Sequence, residues 1–380
     1  MDLSLVRSIT ADLRVESFIG IRTTETDRVR GMSTAPNNGV FLRHCYSIIS
    51  KHSLIGRGTC IASAEPVKDG ADWKNKEIVA KFSYIPKTRT PKGVVQANIV
   101  KKAGDRKEDI WVLNRLPEVF HYESLVPTAD DVQTLLSAYF TAKSSDVYED
   151  RVLQVMVMTE QFPITELTTS ETLISVVRDV FNCYRWLYET AGIVHQDIGL
   201  NNIMFRRNDG HIHGVLVDYD LVLDFQKRDF GLNSKNRTGT RPYMALDLLD
   251  TPPMAHQYRH DLESLFYILA VLATGYKNGP LKDWCDAEEE EDSTALYDTK
   301  FTFISEPWLL PIIKPFHKLQ DILQTMGDMF RQGYHARGNA KLAAVRALRR
   351  SQPIPEFDEA TLGGYVDFDG FGEVLSLPLE

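Results

Sequence analysis

The most constraining feature of the sequence is a short β-hairpin pattern that directly follows a long amphipathic helix pattern. Apolar residues recur at three- and four-residue spacing from Leu173 to Tyr188, and the helix is expected to end near Gly192. The apolar runs NNIMF and GVLVDYD then flank Asn208-Asp209-Gly210, a strong hairpin turn signal. Because a short hairpin brings its two ends close together, the polar residues that flank it are expected to share one site.

Polar residues on both sides of this hairpin are of the types that phosphoryl transfer requires. Residues 195–202 read HQDIGLNN, and residues 217–220 read VDYD. In phosphoryl transfer an Asp beside the attacking hydroxyl accepts its proton, while an Asn and a second Asp hold magnesium ions that bridge the phosphates. The spacing predicts Asp197 as the base, and Asn202 and Asp218 as the magnesium ligands. The alternative is that these are ordinary loop residues, since Asp and Asn also favour turns.

The chain divides into a strand-rich first half and a helix-rich second half. The runs SLIGRGTCIASA and EIVAKFSY predict two strands with a long hairpin connection, and RVLQVMVMTE predicts a strand buried on both faces. From about Asp247 to Arg350 the pattern is mostly helical. Residues 1–50 show weak helical periodicity broken by turn signals and are interpreted as an N-terminal extension. The last residues, rich in Pro, Gly and Asp, are interpreted as a tail.

Composition limits which partners and which cellular compartment we expect for this protein. The formal net charge of −9 argues against nucleic acid or an anionic membrane as the main partner, because either would need concentrated Lys and Arg. The four cysteines lie far apart and form no CxxC pair, so neither a zinc site nor a disulfide framework is predicted. The longest apolar stretch is well short of the roughly twenty residues of a membrane span. We therefore expect a soluble intracellular protein, cytoplasmic or nuclear.

Several motifs resemble those of protein kinases. HQDIGLNNIM resembles the catalytic loop, VDYD the metal-binding triplet, GTRPYMALDLL the segment that closes the activation loop, and HDLESLFYIL the helix that follows. The wording of these motifs, together with IGRGT, KFSYIPKTRT and WVLNRLPEVFH, is most similar to the fungal-type protein kinases. The likeness spans about residues 50–345.

The resemblance implies an α+β fold of the bilobal protein kinase type. It implies a β-rich N-lobe over residues 51–160 and a mainly α-helical C-lobe over residues 161–345, between the extension at 1–50 and a C-terminal tail at 346–380. It also implies ATP and Mg²⁺ as cofactors and a protein as the substrate. The oligomeric state stays open.

Individual residues take roles from the same resemblance. Lys81 matches the Lys that contacts the α- and β-phosphates of ATP. Gly56 and Gly58 match the glycine loop, where backbone N–H groups can approach phosphates closely. Asp261 matches a buried Asp that anchors the catalytic loop. Thr240 matches a Thr that hydrogen-bonds this loop, although a turn-forming hydroxyl is an equally open interpretation.

The sequence also departs from the family pattern. Gln196 stands where many kinases have an Arg that pairs with a phosphorylated activation loop, so activation through that contact is not predicted. Gly199 stands where protein kinases usually carry a Lys that neutralises the transferred phosphate. The partner of Lys81 is open between Gln96, which can form a hydrogen bond but no ion pair, and Glu108.

Three functions remain open at this point. The first is a Ser/Thr protein kinase, because the base, both metal ligands and the phosphate Lys are all present. The second is a pseudokinase that binds nucleotide as a scaffold, which the departures at Gln96, Gln196 and Gly199 favour. The third is a small-molecule kinase of the aminoglycoside or choline type, whose motifs are similar. GTRPYMALDLL and HDLESLFYIL argue against the third, since they resemble the peptide-binding part of protein kinases.

Overall fold

A computed structural model of the 380-residue chain gives the fold. It describes residues 18–21, 40–50, 59–66, 76–87, 90–125, 132–142, 149–208, 210–219, 222–224, 239–250, 254–276, 279–281, 284, 293–306 and 310–379. The chain divides into two compact units. The first comprises residues 1–109 and 117–160, and the second comprises residues 110–116 and 161–380.

The first unit is built on a six-stranded antiparallel sheet with the strand order β1-β2-β3-β4-β6-β5. Its core consists of small and β-branched side chains, among them Ala80, Val155 and Val157, against which Phe82 and Phe120 pack. The strands are β1 (Phe18–Ile21), β2 (Val40–Ser50), β3 (Cys60–Pro66), β4 (Ile78–Pro86), β5 (Val119–Ser124) and β6 (Arg151–Thr159).

The predicted hairpin between the first strand runs is confirmed, since β3 and β4 pair antiparallel with Cys60 opposite Phe82. Two segments of the expected N-terminal extension, β1 and β2, belong to the same sheet and continue it beyond β3. The register of β2 with β3 shifts at two places, and each shift interrupts the period of two along the strand. The sequence of β2 therefore lacks the regular pattern from which a strand is predicted. The first unit also contains two helices, α1 (Lys92–Gly104) and α2 (Val132–Ala142), while a 3₁₀ helix at Lys107–Arg115 has its first three residues in this unit and the rest in the second.

The predicted amphipathic helix is present in the second unit as α3 (Ser170–Trp186), which a π-helical turn extends over Leu187–Ala191. The Thr169 side chain accepts a hydrogen bond from the backbone N–H of Thr172 and caps the start. Gly192 ends the helix with φ of 75°, a left-handed conformation that glycine adopts without steric cost.

The hairpin after this helix is also confirmed. Strands β9 (Ile203–Asn208) and β10 (His211–Leu216) pair antiparallel, with Asn208 opposite His211. The short strands β8 (Ile193–Val194) and β11 (Leu223–Asp224) pair on the outer sides of the same segment, and β7 (Phe162–Pro163) pairs with β9. The two polar loops, residues 195–202 and 217–219, therefore lie side by side between these two pairs of strands.

Helices make up most of the remaining described part of this unit. They are α4 (Leu246–Leu249), α5 (Tyr258–Ala273), α6 (Ser293–Ser305), α7 (Gln320–Arg349) and α8 (Phe368–Leu375), with 3₁₀ turns at Ile164–Glu166, Leu200–Asn202, Arg241–Tyr243 and Lys314–Leu319. Every residue of α5 is buried, as expected of a helix at the centre of a domain. Within the described ranges, no helix is both long and apolar enough to span a bilayer.

Charged side chains at the start of α5 are buried together with α4. Asp247 accepts hydrogen bonds from the fully buried Arg259 and from Arg337 of α7. Arg259 also donates through Nε to the backbone carbonyl of Glu359, at 2.6 Å. Opposite charges and hydrogen bonds compensate the burial of these groups, which would otherwise be strongly unfavourable. The cluster joins α4, α5, α7 and the C-terminal segment.

The C-terminal segment, for which composition predicts a tail, packs onto the second unit. Leu362, Val366 and Phe371 are fully buried, and the ring of Phe371 stacks on Phe181 of α3 with 5.6 Å between centroids. The many Gly, Pro and Asp residues of this segment form turns between a few widely spaced apolar anchors. Such a pattern has no helical or strand period from which packing could be predicted.

His260 beside the Asp247 cluster predicts a dependence of stability on pH. Burial lowers the pKa of His260 to about 3, so the unfolded chain binds a proton below about pH 6.5 and the folded chain does not until about pH 3. The free energy of unfolding should therefore fall by about 2 kcal/mol from this group between pH 7 and pH 5.

In the wild type, Nδ1 of His260 accepts a hydrogen bond from the backbone N–H of Gln257 at 3.0 Å. His260→Gln retains an acceptor for this N–H, but the new side chain does not titrate. Urea unfolding at both pH values should show a smaller loss in the variant than in the wild type. Equal losses in the two proteins would show that His260 carries no such effect.

Candidate active site

The 195–202 loop is anchored by one buried carboxylate. The backbone N–H groups of His195 and Gln196 both donate to Oδ2 of Asp261, each at 3.1 Å. Gln196 has φ of 67°, and such a turn lets two successive N–H groups converge on one oxygen. A left-handed conformation of a residue other than glycine costs about 1–3 kcal/mol, which the two charge-assisted hydrogen bonds offset.

Asp261 stays ionised in this position. Burial alone would raise the pKa of its carboxyl, but the nearby His256, which donates from Nε2 to Oδ1 at 3.0 Å, and His195 bring the pKa below its ordinary value. The carboxylate therefore receives hydrogen bonds from the loop and from the segment before α5. This arrangement confirms the anchoring role that the resemblance assigned to Asp261.

The ring of His195 joins the two polar loops. The backbone N–H of Asp197 approaches its Nδ1 at 3.4 Å, and its Nε2 lies 3.2 Å from the carbonyl oxygen of Val217. An acceptor at Nδ1 and a carbonyl at Nε2 together require the tautomer that carries its proton on Nε2. The ring also packs edge-on against buried Tyr219, with 5.4 Å between centroids.

Asp197 is fixed through its main chain and its side chain. Its carbonyl oxygen accepts a hydrogen bond from Nδ2 of Asn202 at 2.8 Å, and its Oδ1 accepts one from the hydroxyl of Thr240, also at 2.8 Å. The contact confirms that Thr240 hydrogen-bonds the loop. With Oδ1 held by Thr240, Oδ2 is the carboxylate oxygen left for a further partner.

Asn202 and Asp218 are brought together by the hairpin. The N–H of Val217 donates to the carbonyl of Asn202 at 3.0 Å, so the residue before Asp218 is bonded directly to Asn202. Since the Asn202 nitrogen is used by Asp197, its Oδ1 is the atom left for a cation. An amide oxygen and a carboxylate are the hard ligands that Mg²⁺ prefers, so this pair of donors fits the predicted metal.

The position of Gly199 is filled by its neighbours. A Cβ atom added there would lie 3.0 Å from Oγ1 and 3.2 Å from Cβ of Thr240. Any side chain at this position must therefore displace Thr240 by a few tenths of an ångström. The hydroxyl of Thr240, rather than a Lys side chain, packs against the loop at this point.

Lys81 lies in the first unit, on β4. It is opposite Ile61 of β3 and Met156 of β6, and only 9% of its surface is exposed, so it is not an ordinary solvated Lys. Gln96 on α1 is buried and donates from Nε2 to the carbonyl of Pro117 at 3.2 Å. Glu108 is exposed and its carboxylate accepts hydrogen bonds from Arg106, which does not support it as the partner of Lys81. Gly56 and Gly58 lie outside the described residues.

One buried cation near the site was missed by the sequence interpretation. Lys300 of α6 is fully buried, donates from Nζ to the carbonyl of Met244, and lies 4.0 Å from the ring centroid of Tyr267. It thereby holds the segment that carries Thr240. Lys300 is in phase with the buried residues Leu296 and Ile304, four positions away on either side, and this spacing could have indicated its burial.

An antiparallel sheet with a buried Lys on one strand, and a helical unit in which an Asp–Asn loop adjoins a second Asp, are both typical of the kinase class. Within that class, the model of the fungal protein kinase family matches residues 12–273, and the chain belongs to this family. The serine/threonine-protein kinase CHK1 of Saccharomyces cerevisiae is a distant relative, 27% identical over 148 residues. The match covers 39% of this chain and 27% of that protein, so the chain spans about a quarter of its length.

Replacing Asp261 should loosen the 195–202 loop. Asp261→Asn replaces the carboxylate with an amide of the same shape, which carries no charge. Its NH₂ group would face the backbone N–H donors of the loop, to which it cannot serve as an acceptor. We expect the free energy of unfolding to fall by about 2–4 kcal/mol, measured by urea denaturation. Asp298→Asn, at an exposed position on α6, is the matched control and should change it by less than about 0.5 kcal/mol. Equal effects of the two substitutions would contradict the anchoring role.

Proposed function

We propose that this chain is an ATP- and Mg²⁺-dependent Ser/Thr protein kinase. The observation that carries the proposal is the fixation of Asp197, whose main chain is held by Asn202 and whose Oδ1 is held by Thr240. A general base must be positioned before its pKa matters, and Asp197 is positioned by two independent hydrogen bonds, one accepted by its backbone carbonyl and one by its carboxylate. The fungal protein kinase family and the yeast Ser/Thr kinase relative support the same activity.

In this proposal the candidate residues of each unit have defined tasks. Asp197 orients the hydroxyl of a Ser or Thr in a protein substrate and accepts its proton. Asn202 and Asp218 hold Mg²⁺, which when bound neutralises charge on the phosphates of ATP. Lys81 binds the α- and β-phosphates, and the glycine loop with Gly56 and Gly58 covers them.

Gly199 favours a second candidate, a nucleotide-binding scaffold with little transfer activity. The cation that most protein kinases place here would neutralise the transferred phosphoryl group, and electrostatic stabilisation is a large part of the rate. The close approach of Thr240 to Gly199 leaves no space for that side chain without a shift. We therefore expect a slow kinase rather than a fast one.

Transfer of labelled phosphate tests the proposal. The purified chain is incubated with γ-labelled ATP and Mg²⁺, with generic protein substrates and small amino alcohols offered in parallel. Label should enter protein, and Asp197→Ala should lower the rate by about 10²–10⁴-fold, because the general base is lost. Asp298→Ala, an exposed position on α6, serves as the control.

Other outcomes separate the candidates. If nothing is labelled but ATP with Mg²⁺ raises the melting temperature, and Asp218→Ala and Lys81→Ala abolish that rise, the chain is a nucleotide-binding scaffold. Label in the amino alcohols would instead identify a small-molecule kinase. If neither Asp218→Ala nor Lys81→Ala weakened nucleotide binding, the assignment of these two residues to ATP would be wrong.

The hydrogen bond from Thr240 gives a further prediction. Thr240→Val keeps the shape of the side chain but removes the donor to Asp197. We expect kcat to fall roughly 10-fold, the equivalent of about 1.4 kcal/mol, while KM for ATP is unchanged. Thr302→Val, at an exposed position of α6, should leave both constants unchanged. An increase in KM with constant kcat would show that Thr240 acts in binding instead.

A further inference from the structure

A small pocket lies beneath the 195–202 loop, within the second unit. It is lined by Gln196, Asp197, Ile198, Gly239, Thr240, Met244, Leu248, His256 and Ser264. The pocket thus reaches from the loop to the segment before α5, and it has room for about one water molecule. Both Gln196, 3% exposed, and the side chain of His256, 6% exposed, are removed from bulk solvent.

Two of the residues that line this pocket carry a buried acceptor atom that receives no hydrogen bond from the residues that the structure describes. Oε1 of Gln196 and Nδ1 of His256 have no hydrogen-bond partner within the described part of the chain. The Nε2 atom of His256 donates to the carboxylate of Asp261, so in the tautomer with its proton on Nε2 the Nδ1 atom carries a lone pair that accepts a hydrogen bond. A buried polar atom without a partner is unfavourable, so two of them in one pocket indicate a ligand that supplies hydrogens.

The hydroxyl donors around the pocket are already engaged. Ser264 donates to the carbonyl of His260 at 3.0 Å, and Thr240 donates to Asp197. Neither hydroxyl hydrogen is therefore available to Gln196 or His256. The missing donor must come from outside the side chains that the structure shows.

The geometry points to a single internal water that donates one hydrogen to Oε1 of Gln196 and the other to Nδ1 of His256. A water molecule has two donors, which matches the two orphaned acceptors, and buried waters commonly bridge such groups. The bridge extends the chain of hydrogen bonds from Asp261 through His256 to the side chain next to Asp197. Gln196 and His256 are then positioning residues for the base.

The bridge has a consequence for regulation, which rests on the proposed kinase function. Many kinases hold this loop through an Arg that binds a phosphorylated residue, whereas Gln196 would hold it through a neutral internal contact. The loop would then be fixed without phosphorylation. Treatment of the purified chain with phosphatase should leave kcat unchanged.

A double-mutant cycle on the whole chain tests the bridge. Gln196→Met removes one acceptor, and His256→Gln removes Nδ1 while it retains an N–H that can reach Asp261. Each single variant should lower the melting temperature by about 2–4 °C, and the double variant should lower it by no more than either one. The exposed pair Gln332→Met and His335→Gln on α7 is the matched control and should shift it by less than about 1 °C.

Two further measurements complete the test. A crystal structure of the chain should show one water within hydrogen-bond distance of both atoms, and Gln196→Met should lower kcat with KM for ATP unchanged. Additive shifts in the cycle, an empty pocket, or a direct contact between a rotated Gln196 amide and His256 would overturn the inference. If the wild type transfers no phosphate, the proposed function fails, but the melting temperatures and the crystal structure still decide whether the water is present.

Discussion

The buried carboxylate of Asp261 is the interaction on which the candidate site depends. It gathers two backbone N–H groups of the 195–202 loop and one ring N–H of His256 around a single charge. Asp261 lies on α5, a helix that is buried along its whole length and therefore provides a rigid support. The positions of Asp197, of Asn202 and, through the hairpin, of Asp218 all follow from how this loop is held.

A second set of buried charges supports the segment that carries Thr240. Lys300 holds the carbonyl of Met244, and Arg259 with Arg337 holds Asp247 a few residues later. Buried ion pairs contribute little net stability compared with apolar packing, but removal of one partner is strongly unfavourable. These groups therefore restrict where the segment can lie, which fixes the donor that orients Asp197.

The sequence allowed the local frame of the candidate site to be predicted, but not the long-range contacts that support it. The β9–β10 hairpin, the end of α3 at Gly192 and the anchor at Asp261 depend on local turn chemistry or on specific motifs, and all three are found. The packing of Leu362 and Phe371 and the contact of Lys300 with Met244 depend on residues far apart in the chain. No local period or spacing specifies such partners, so they become visible only in three dimensions.

The contact of Arg259 with Glu359 bears on how the protein is made. The two residues are 100 positions apart, and Arg337 of the same cluster lies 90 positions from Asp247. During synthesis, α4 and α5 leave the ribosome long before α7 and the C-terminal segment, so Asp247 and Arg259 have incomplete partners for that interval. Long-range contacts form late and leave apolar surface open in the meantime. The apolar surface that covers Leu362, Val366 and Phe371 in the folded unit therefore stays open on the nascent second unit until residues 351–379 have emerged.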